Sequence, residues 1–431
     1  MAAATTVRLR AGRAGRTKAR PKPPLEYSIL YTATLCLLAA GSVMVYSASS
    51  AESVLKNGDP AFYLKRYLMF GALGLVAMHL ISRRSLPAMR SLTRALLPIA
   101  FVLTLTVKVP HVGISVNGAT RWLGAGPVQF EPSELLKVAL VLYSANLLAA
   151  RPAVLGSLST LCRPLLLVVG GACLLLLAQP DMGTAMVVCF STFALLVAAG
   201  VKLRHLGAIL AILAVLALIF AVAEPYRRAR LLSFLHPWND AGKSGFQAVQ
   251  AMIALGSGGF FGVGLGESVQ KIFYLPEAHT DMILAIVGEE LGVMGIGALA
   301  ALYGLIGYAG FRAAQLARDR YAKLLAAGIT ALILSQAALN FFAVLGMAPL
   351  TGVPLPFVSY GSSNLVVLLG AMGLLLNVAA TGGAAKRGRG RGSRPLEAVA
   401  GGGDERSGRD RGRGDRRARG ARAGNRRRAA G

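Results

Sequence analysis

Residues 274–296, "YLPEAHTDMILAIVGEELGVMGI", crowd Glu277, His279, Thr280 and Asp281 into one turn, then carry Glu289 and Glu290 into an apolar run. An acidic side chain at membrane depth costs about 3 kcal/mol or more, so such residues need a reason to be there. Asp281 or Thr280 could cap the following helix by accepting its free N–H groups. That accounts for one of the two and leaves Glu277 and His279 unexplained. The alternative is proton-transfer chemistry by Asp281 at an apolar border. On an ideal helix Glu289 lies about 12 Å deeper than Asp281 and about 80° round, whereas Glu290 points nearly opposite. One glutamate is thus expected near the same cavity and the other between helices, with a structural polar network as the leading role for both.

Three further clusters have polar spacing. In "RWLGAGPVQFEPSELLKVAL" (121–140), Glu134 falls in the first turn of a helix and Lys137 three residues on. That spacing suits a surface ion pair. Alternatively, Arg121 and Lys137 offer cations to a phosphate-bearing ligand. "AQPDMGTAM" (178–186) reads as a turn between two helices with Asp181 as a structural cap. "PLPFVSYGSSN" (354–364) reads as a rigid, polar-lined approach to a final helix. Neither a phosphate-binding glycine loop nor a dinucleotide fingerprint is present. A serine-hydrolase elbow is missing as well, so ATP-driven and redox chemistry are disfavoured. Cys36, Cys162, Cys173 and Cys189 lie in or beside apolar runs without metal-type spacing and read as small buried hydrophobes.

The elements that must position these clusters are membrane helices. The 431 residues are 55% hydrophobic yet carry a formal charge of +27, of which residues 1–25 and 386–431 supply +18. Ten apolar runs are long enough for about 30 Å of hydrocarbon. They cover about 27–49, 67–82, 91–107, 134–150, 164–178, 184–200, 205–223, 283–309, 323–345 and 363–380, which makes an all-α polytopic membrane protein. The first run is too long for a cleaved signal and is read as retained. With the N-terminus cytoplasmic, every inner loop is short and basic, so both termini are expected inside. The elaborate loops, 108–132, 224–282 and 346–362, then all face outward. Within the long loop between spans seven and eight, "GFQAVQAMIAL" (245–255) predicts a short amphipathic helix at the outer leaflet. "GSGGFFGVGLG" (256–266) after it predicts tight turns and close approach to a ligand, beside a cavity opening outward. The chain divides into a basic N-terminal tail (1–26), a transmembrane domain (27–380) and an Arg/Gly-rich tail (381–431) of disordered composition. Anionic lipid or an acidic cytoplasmic partner suits both tails better than nucleic acid.

Taken in order, "VMVYSASS", "TRWLG…EPSELLK", "QPDMGTA", "FLHPWND", "GESVQK…YLPEAHTD…GEELG" and "PLPFVSYG" resemble the SEDS family (shape, elongation, division, sporulation). The likeness runs over about residues 27–380 and is nearer the cell-division branch than the elongation branch. Glu131 stands where the family has a glutamine, and Ser362 where a second glycine is usual. The resemblance implies a peptidoglycan glycosyltransferase that polymerises lipid II on the outer face of the bacterial cytoplasmic membrane, at the septum. It implies Asp281 as the catalytic carboxylate and a single-pass class B penicillin-binding protein as partner. Under that reading Arg121 and Lys137 bind the diphosphate, Glu134 orients Lys137, and His279 shapes the surroundings of the base. A divalent cation (Mg or Mn) at the pyrophosphate is expected, without a legible ligand set, and no organic cofactor. Competing readings are a lipid II flippase, which would need alternating access between repeated halves, and a non-catalytic division scaffold.

Overall fold

The computed structural model describes residues 23–116, 119–125, 128–223, 233–242 and 245–391. Most of both basic tails, and parts of the long loop at 224–232 and 243–244, lie outside the described residues.

Each expected apolar run forms a helix. In chain order these are α1 (Leu25–Asn57), α2 (Phe62–Ser82), α3 (Leu86–Thr106), α4 (Pro132–Ala150) and α5 (Leu158–Leu177). They continue as α6 (Met182–Ala199), α7 (Leu203–Ala223), α8 (Phe246–Gly258), α9 (Ile283–Leu316), α10 (Arg320–Val344) and α11 (Ser362–Arg391). Among the described residues nine are long and apolar enough to cross a membrane, while α7 has a shorter apolar stretch, Leu203–Leu216. α5 starts earlier than its hydropathy indicated because a π turn, Cys162–Leu166, carries the helix past Pro164. The last helix also outruns the expected boundary at 380 and is described as far as Arg391.

The all-α class holds, with one addition. Between α3 and α4 a small antiparallel sheet has strands β1 (Gly113–Val116), β2 (Ala119–Ala125) and β3 (Val128–Phe130) in sequential order. Leu123 pairs with Phe130 and Ile114 with Trp122. This sheet, the α5–α6 turn, the long loop and the α10–α11 loop share one face of the bundle. α2 packs on α11, α1 on α9, and α10 sits between α4, α6 and α9.

α9 is broken. At Gly292 the backbone leaves the helix (φ 66°, ψ −162°), which frees hydrogen-bonding groups that lipid cannot satisfy. The glycine-rich segment after α8 satisfies them instead: Val263 N donates to Glu289 O (2.9 Å), Gly264 N to Glu290 O (3.1 Å) and Val293 N to Gly259 O (3.1 Å). The approach is close enough that a Cβ on Gly262 would stand 2.2 Å from Glu290 O. Gly258 and Gly262 therefore admit the protein's own backbone, whereas a Cβ on Gly256, Gly259 or Gly266 would meet none of the described residues within 4 Å.

Candidate active site

The α10–α11 loop is the hub of the site. It enters the bundle as non-helical chain, and its carbonyls must find donors there. Asn340 Nδ2 donates to Val353 O (2.8 Å), Gln336 Nε2 to Pro354 O (2.9 Å), Tyr303 Oη to Pro356 O (2.5 Å) and Tyr67 Oη to Phe357 O (2.5 Å). Ser359 Oγ accepts from Leu355 N at 2.8 Å. Three helices thus grip one pentapeptide. Sequence reasoning passed over Gln336 and Asn340, although two amides four residues apart inside an apolar span place two polar groups on one helix face.

Asp281 lies against this loop. The residue capping α9 is Met282, and no side chain caps that helix, so capping does not account for Asp281. Asn340 Nδ2, which holds Val353 O, also donates to Asp281 O at 2.7 Å. The half-buried carboxylate faces Gly352 (φ +70°), where a Cβ would stand 3.8 Å from Oδ2. Thr280 Oγ1 is 3.3 Å from Asp281 Oδ1 and 2.9 Å from Glu277 Oε2.

His279 is buried on the other side of the turn. Its ring centroid is 4.4 Å from that of Tyr63 and 5.7 Å from that of Tyr360, and Tyr360 N donates to His279 O (3.0 Å). Glu52 Oε2 is 3.5 Å from Nδ1, but that nitrogen has no hydrogen-bond partner. Burial pushes His279 below the ordinary histidine range, against the opposing pull of the Glu52 and Glu277 carboxylates. The ring is neutral near pH 7, and the contact with Glu52 is not a formed ion pair.

The cations are more enclosed than the sequence suggested. Lys137 is fully buried, with Nζ 2.9 Å from Glu134 Oε1 and 2.8 Å from Gln336 Oε1. The pair is therefore internal, not at the membrane surface. Through Gln336, Lys137 reaches Pro354 of the same loop. Arg121 on β2 donates to Gln179 O (3.1 Å) and to Pro180 O, and its guanidinium is 3.8 Å from Asp181 Oδ1. Asp181 caps α6 through Thr184 N (3.1 Å), as expected. Gly183 in turn packs so tightly on the hub that a Cβ there would stand 2.6 Å from Thr351 O. Glu131, just before α4, accepts from Ser133 Oγ (2.9 Å), and its N–H donates to Ser363 Oγ (2.8 Å). Burial, with Glu134 and Asp181 adding to it, pushes its carboxyl up to about 8.

Asp281, His279 and the Glu134–Lys137 pair therefore converge on one loop, and Arg121 joins them through the α5–α6 turn. Glu289 and Glu290 do not. Glu289 accepts from Ser268 Oγ, Val269 N (3.0 Å) and Gln270 N (3.4 Å). Glu290 accepts from Ser47 Oγ (2.6 Å) and Lys271 Nζ (2.8 Å). Both serve the structural network, and neither faces the Asp281 side. Among the described residues no three His, Cys, Asp or Glu side chains converge as a metal cage.

The whole arrangement has relatives. A structure of a peptidoglycan synthase complex that coordinates polymerization and crosslinking aligns with a TM-score of 0.66 at 29% identity, covering 82% of this chain and 97% of that one. The rod shape determining protein RodA of Thermus thermophilus aligns at 0.57 and 28%, over 81% and 95% of the two chains. In sequence, the chain is 42% identical to a probable peptidoglycan glycosyltransferase FtsW of Thioalkalivibrio sulfidiphilus, over 81% of this chain and 88% of that protein. It is 38% identical to stage V sporulation protein E of Bacillus subtilis, over 81% and 96%. Residues 28–382 match the cell cycle protein family of FtsW, RodA and SpoVE, and the chain belongs to that family.

Proposed function

We propose that the chain is a peptidoglycan glycosyltransferase that polymerises lipid II on the outer face of the cytoplasmic membrane, for septal wall synthesis in cell division. The observation that carries this reading is half-buried Asp281, tied through Asn340 to the partly buried α10–α11 loop that also anchors Lys137 through Gln336. Family membership and the names of the FtsW relatives support the same activity. The basic inner loops put both termini in the cytoplasm and the site outside.

In this mechanism Asp281 takes the proton from the acceptor sugar hydroxyl as that oxygen attacks the anomeric carbon of the donor and the undecaprenyl diphosphate departs. Arg121, partly exposed, meets the departing diphosphate, while buried Lys137 adds positive potential from behind. Glu134 holds Lys137 in place, and His279 fixes the turn that carries Asp281. A divalent cation at the diphosphate would be held mainly by the substrate's own oxygens. The partner is a class B penicillin-binding protein that crosslinks the new strand, in keeping with the synthase complex among the structural relatives.

The experiment is polymerisation of labelled lipid II by the purified full-length protein with its transpeptidase partner. Wild type is expected to give glycan chains, and Asp281→Ala none. Polymer from Asp281→Ala, or lipid movement across vesicles without polymer, would replace the enzyme reading with the scaffold or the flippase.

A further inference from the structure

A base that works once per added sugar must lose its proton once per added sugar. The geometry points to Thr280 and Glu277 as the route by which Asp281 is reset, an inference that rests on the role proposed for Asp281.

A hydroxyl can accept a proton and donate another at the same time. Thr280 Oγ1 stands between two carboxylates, 2.9 Å from Glu277 Oε2 and 3.3 Å from Asp281 Oδ1. When both are ionised, the single hydroxyl proton goes to the nearer oxygen, that of Glu277. Once Asp281 has taken the sugar's proton, its new O–H can donate to Thr280 Oγ1. The transfer then balances. Asp281 gives its proton to Thr280 Oγ1, Thr280 gives its own to Glu277, and Glu277 releases it to water. Asp281 returns to the carboxylate, and neither oxidant nor cofactor is consumed.

Burial runs in the direction such a route needs. Asp281 and Thr280 are half-buried and Glu277 is exposed, so the proton moves from the apolar border to solvent over two residues. The turn is shaped for it. Glu277 adopts a left-handed conformation (φ 56°), its carbonyl accepts from Thr280 N (3.1 Å), and Thr280 Oγ1 stands 3.1 Å from that carbonyl, on the inside of the turn. Lys56 and His279 are among the charged and titratable neighbours of Glu277.

The test is polymer formed per minute by the full-length protein with lipid II saturating, in buffers of rising base concentration at fixed pH. Thr280→Val keeps the shape of the side chain and removes the hydroxyl. It is expected to lower kcat about tenfold with KM unchanged, and the loss should shrink as a small buffer base such as imidazole is raised. Glu277→Gln should behave alike, while Thr280→Ser should retain wild-type rates. Wild-type turnover by Thr280→Val would overturn the relay. So would a loss that buffer base does not relieve, or a loss as large in Thr280→Ser. Asp281→Ala separates the two levels: its retained activity sinks the base itself, whereas an inactive Asp281→Ala beside a fully active Thr280→Val sinks the relay alone.

Discussion

Two clusters of buried charge lie along α9, and they are finished to different degrees. Around the break at Gly292, the carboxylates of Glu289 and Glu290 are met by Ser268, by the amides of Val269 and Gln270, and by Ser47 and Lys271, and Gln270 Oε1 is the one side-chain atom of that group left without a partner among the described residues. Around the α10–α11 loop, Asp181 Oδ2, Asn340 Oδ1, Thr351 Oγ1 and His279 Nδ1 are buried with no hydrogen-bond partner among the described residues. A buried polar atom without a partner costs about 1–3 kcal/mol, so a chain keeps several together only where a ligand or water completes them. On that contrast the first cluster reads as scaffold and the second as the candidate site. That contrast sorts the six acidic residues of 277–290 and 131–134 better than their depth in the membrane does.

The sharpest way to break the contrast is to erase each cluster's charge pair without leaving a lone charge behind. Glu134→Gln with Lys137→Met should abolish glycan synthesis, a loss of about 100-fold or more, while the protein stays folded. Glu290→Leu with Lys271→Met and Ser47→Ala should leave synthesis within a few-fold, because apolar groups of similar volume can replace a buried ion pair. Polymer assays and thermal unfolding in detergent read both. Equal activity in the two variants would erase the distinction.

Breaking one side of a pair is the next largest effect. Lys271→Met alone leaves Glu290 buried with Ser47 as its remaining partner, and should cost about 3–5 kcal/mol of stability. The expected readout is a lower unfolding temperature, recovered when Glu290→Leu is added. Glycines sharpen the same comparison at smaller scale. Gly262→Ala would place a Cβ 2.2 Å from Glu290 O at φ +84°, so about 2–3 kcal/mol of stability should go. Gly352→Ala meets ordinary contact, 3.8 Å from Asp281 Oδ2, and pays mainly for φ +70°, about 1 kcal/mol. It should lower activity more than it lowers the unfolding temperature.

The sequence made the helices legible because an apolar run of membrane length has few other fates. The amphipathic run at 245–255 became α8, and Asp181 became a cap, for the same local reasons. The sheet before α4 was not anticipated, although Asn117-Gly118 between alternating residues is a hairpin signal. Its three strands are short and were read inside a loop. The site was half legible. Asp281, His279 and Lys137 stood out by type and spacing, but Lys137 appeared as a surface cation because sequence spacing shows Glu134 and hides Gln336, 199 residues away. The glycine-rich segment makes the expected tight turns, but what it packs against was hidden for a similar reason. Its partner is the broken backbone at Gly292, and no side-chain pattern marks a helix break made by glycine in a run already rich in it.

The smallest expected effect concerns Glu131, on the site side of the comparison. Its carboxyl is pushed up to about 8, first by burial and then by Glu134 and Asp181, with Lys137 opposing. The folded chain therefore holds this proton more tightly than the unfolded chain, whose carboxyl titrates in the ordinary range near 4.5. Linkage fixes the sign: across that window the folded state binds more protons, so stability falls as pH rises and levels off above about 8. The side chain is only half-buried, so the full shift is discounted to about 1 kcal/mol. Glu131→Gln removes the titration and keeps the shape. Its unfolding temperature should match wild type at about pH 5 and exceed it by a few degrees at about pH 9. Parallel pH profiles for the two proteins would mean that Glu131 is ionised and solvated in the fold, and that the site side of α9 stores less unbalanced charge than its orphaned atoms imply.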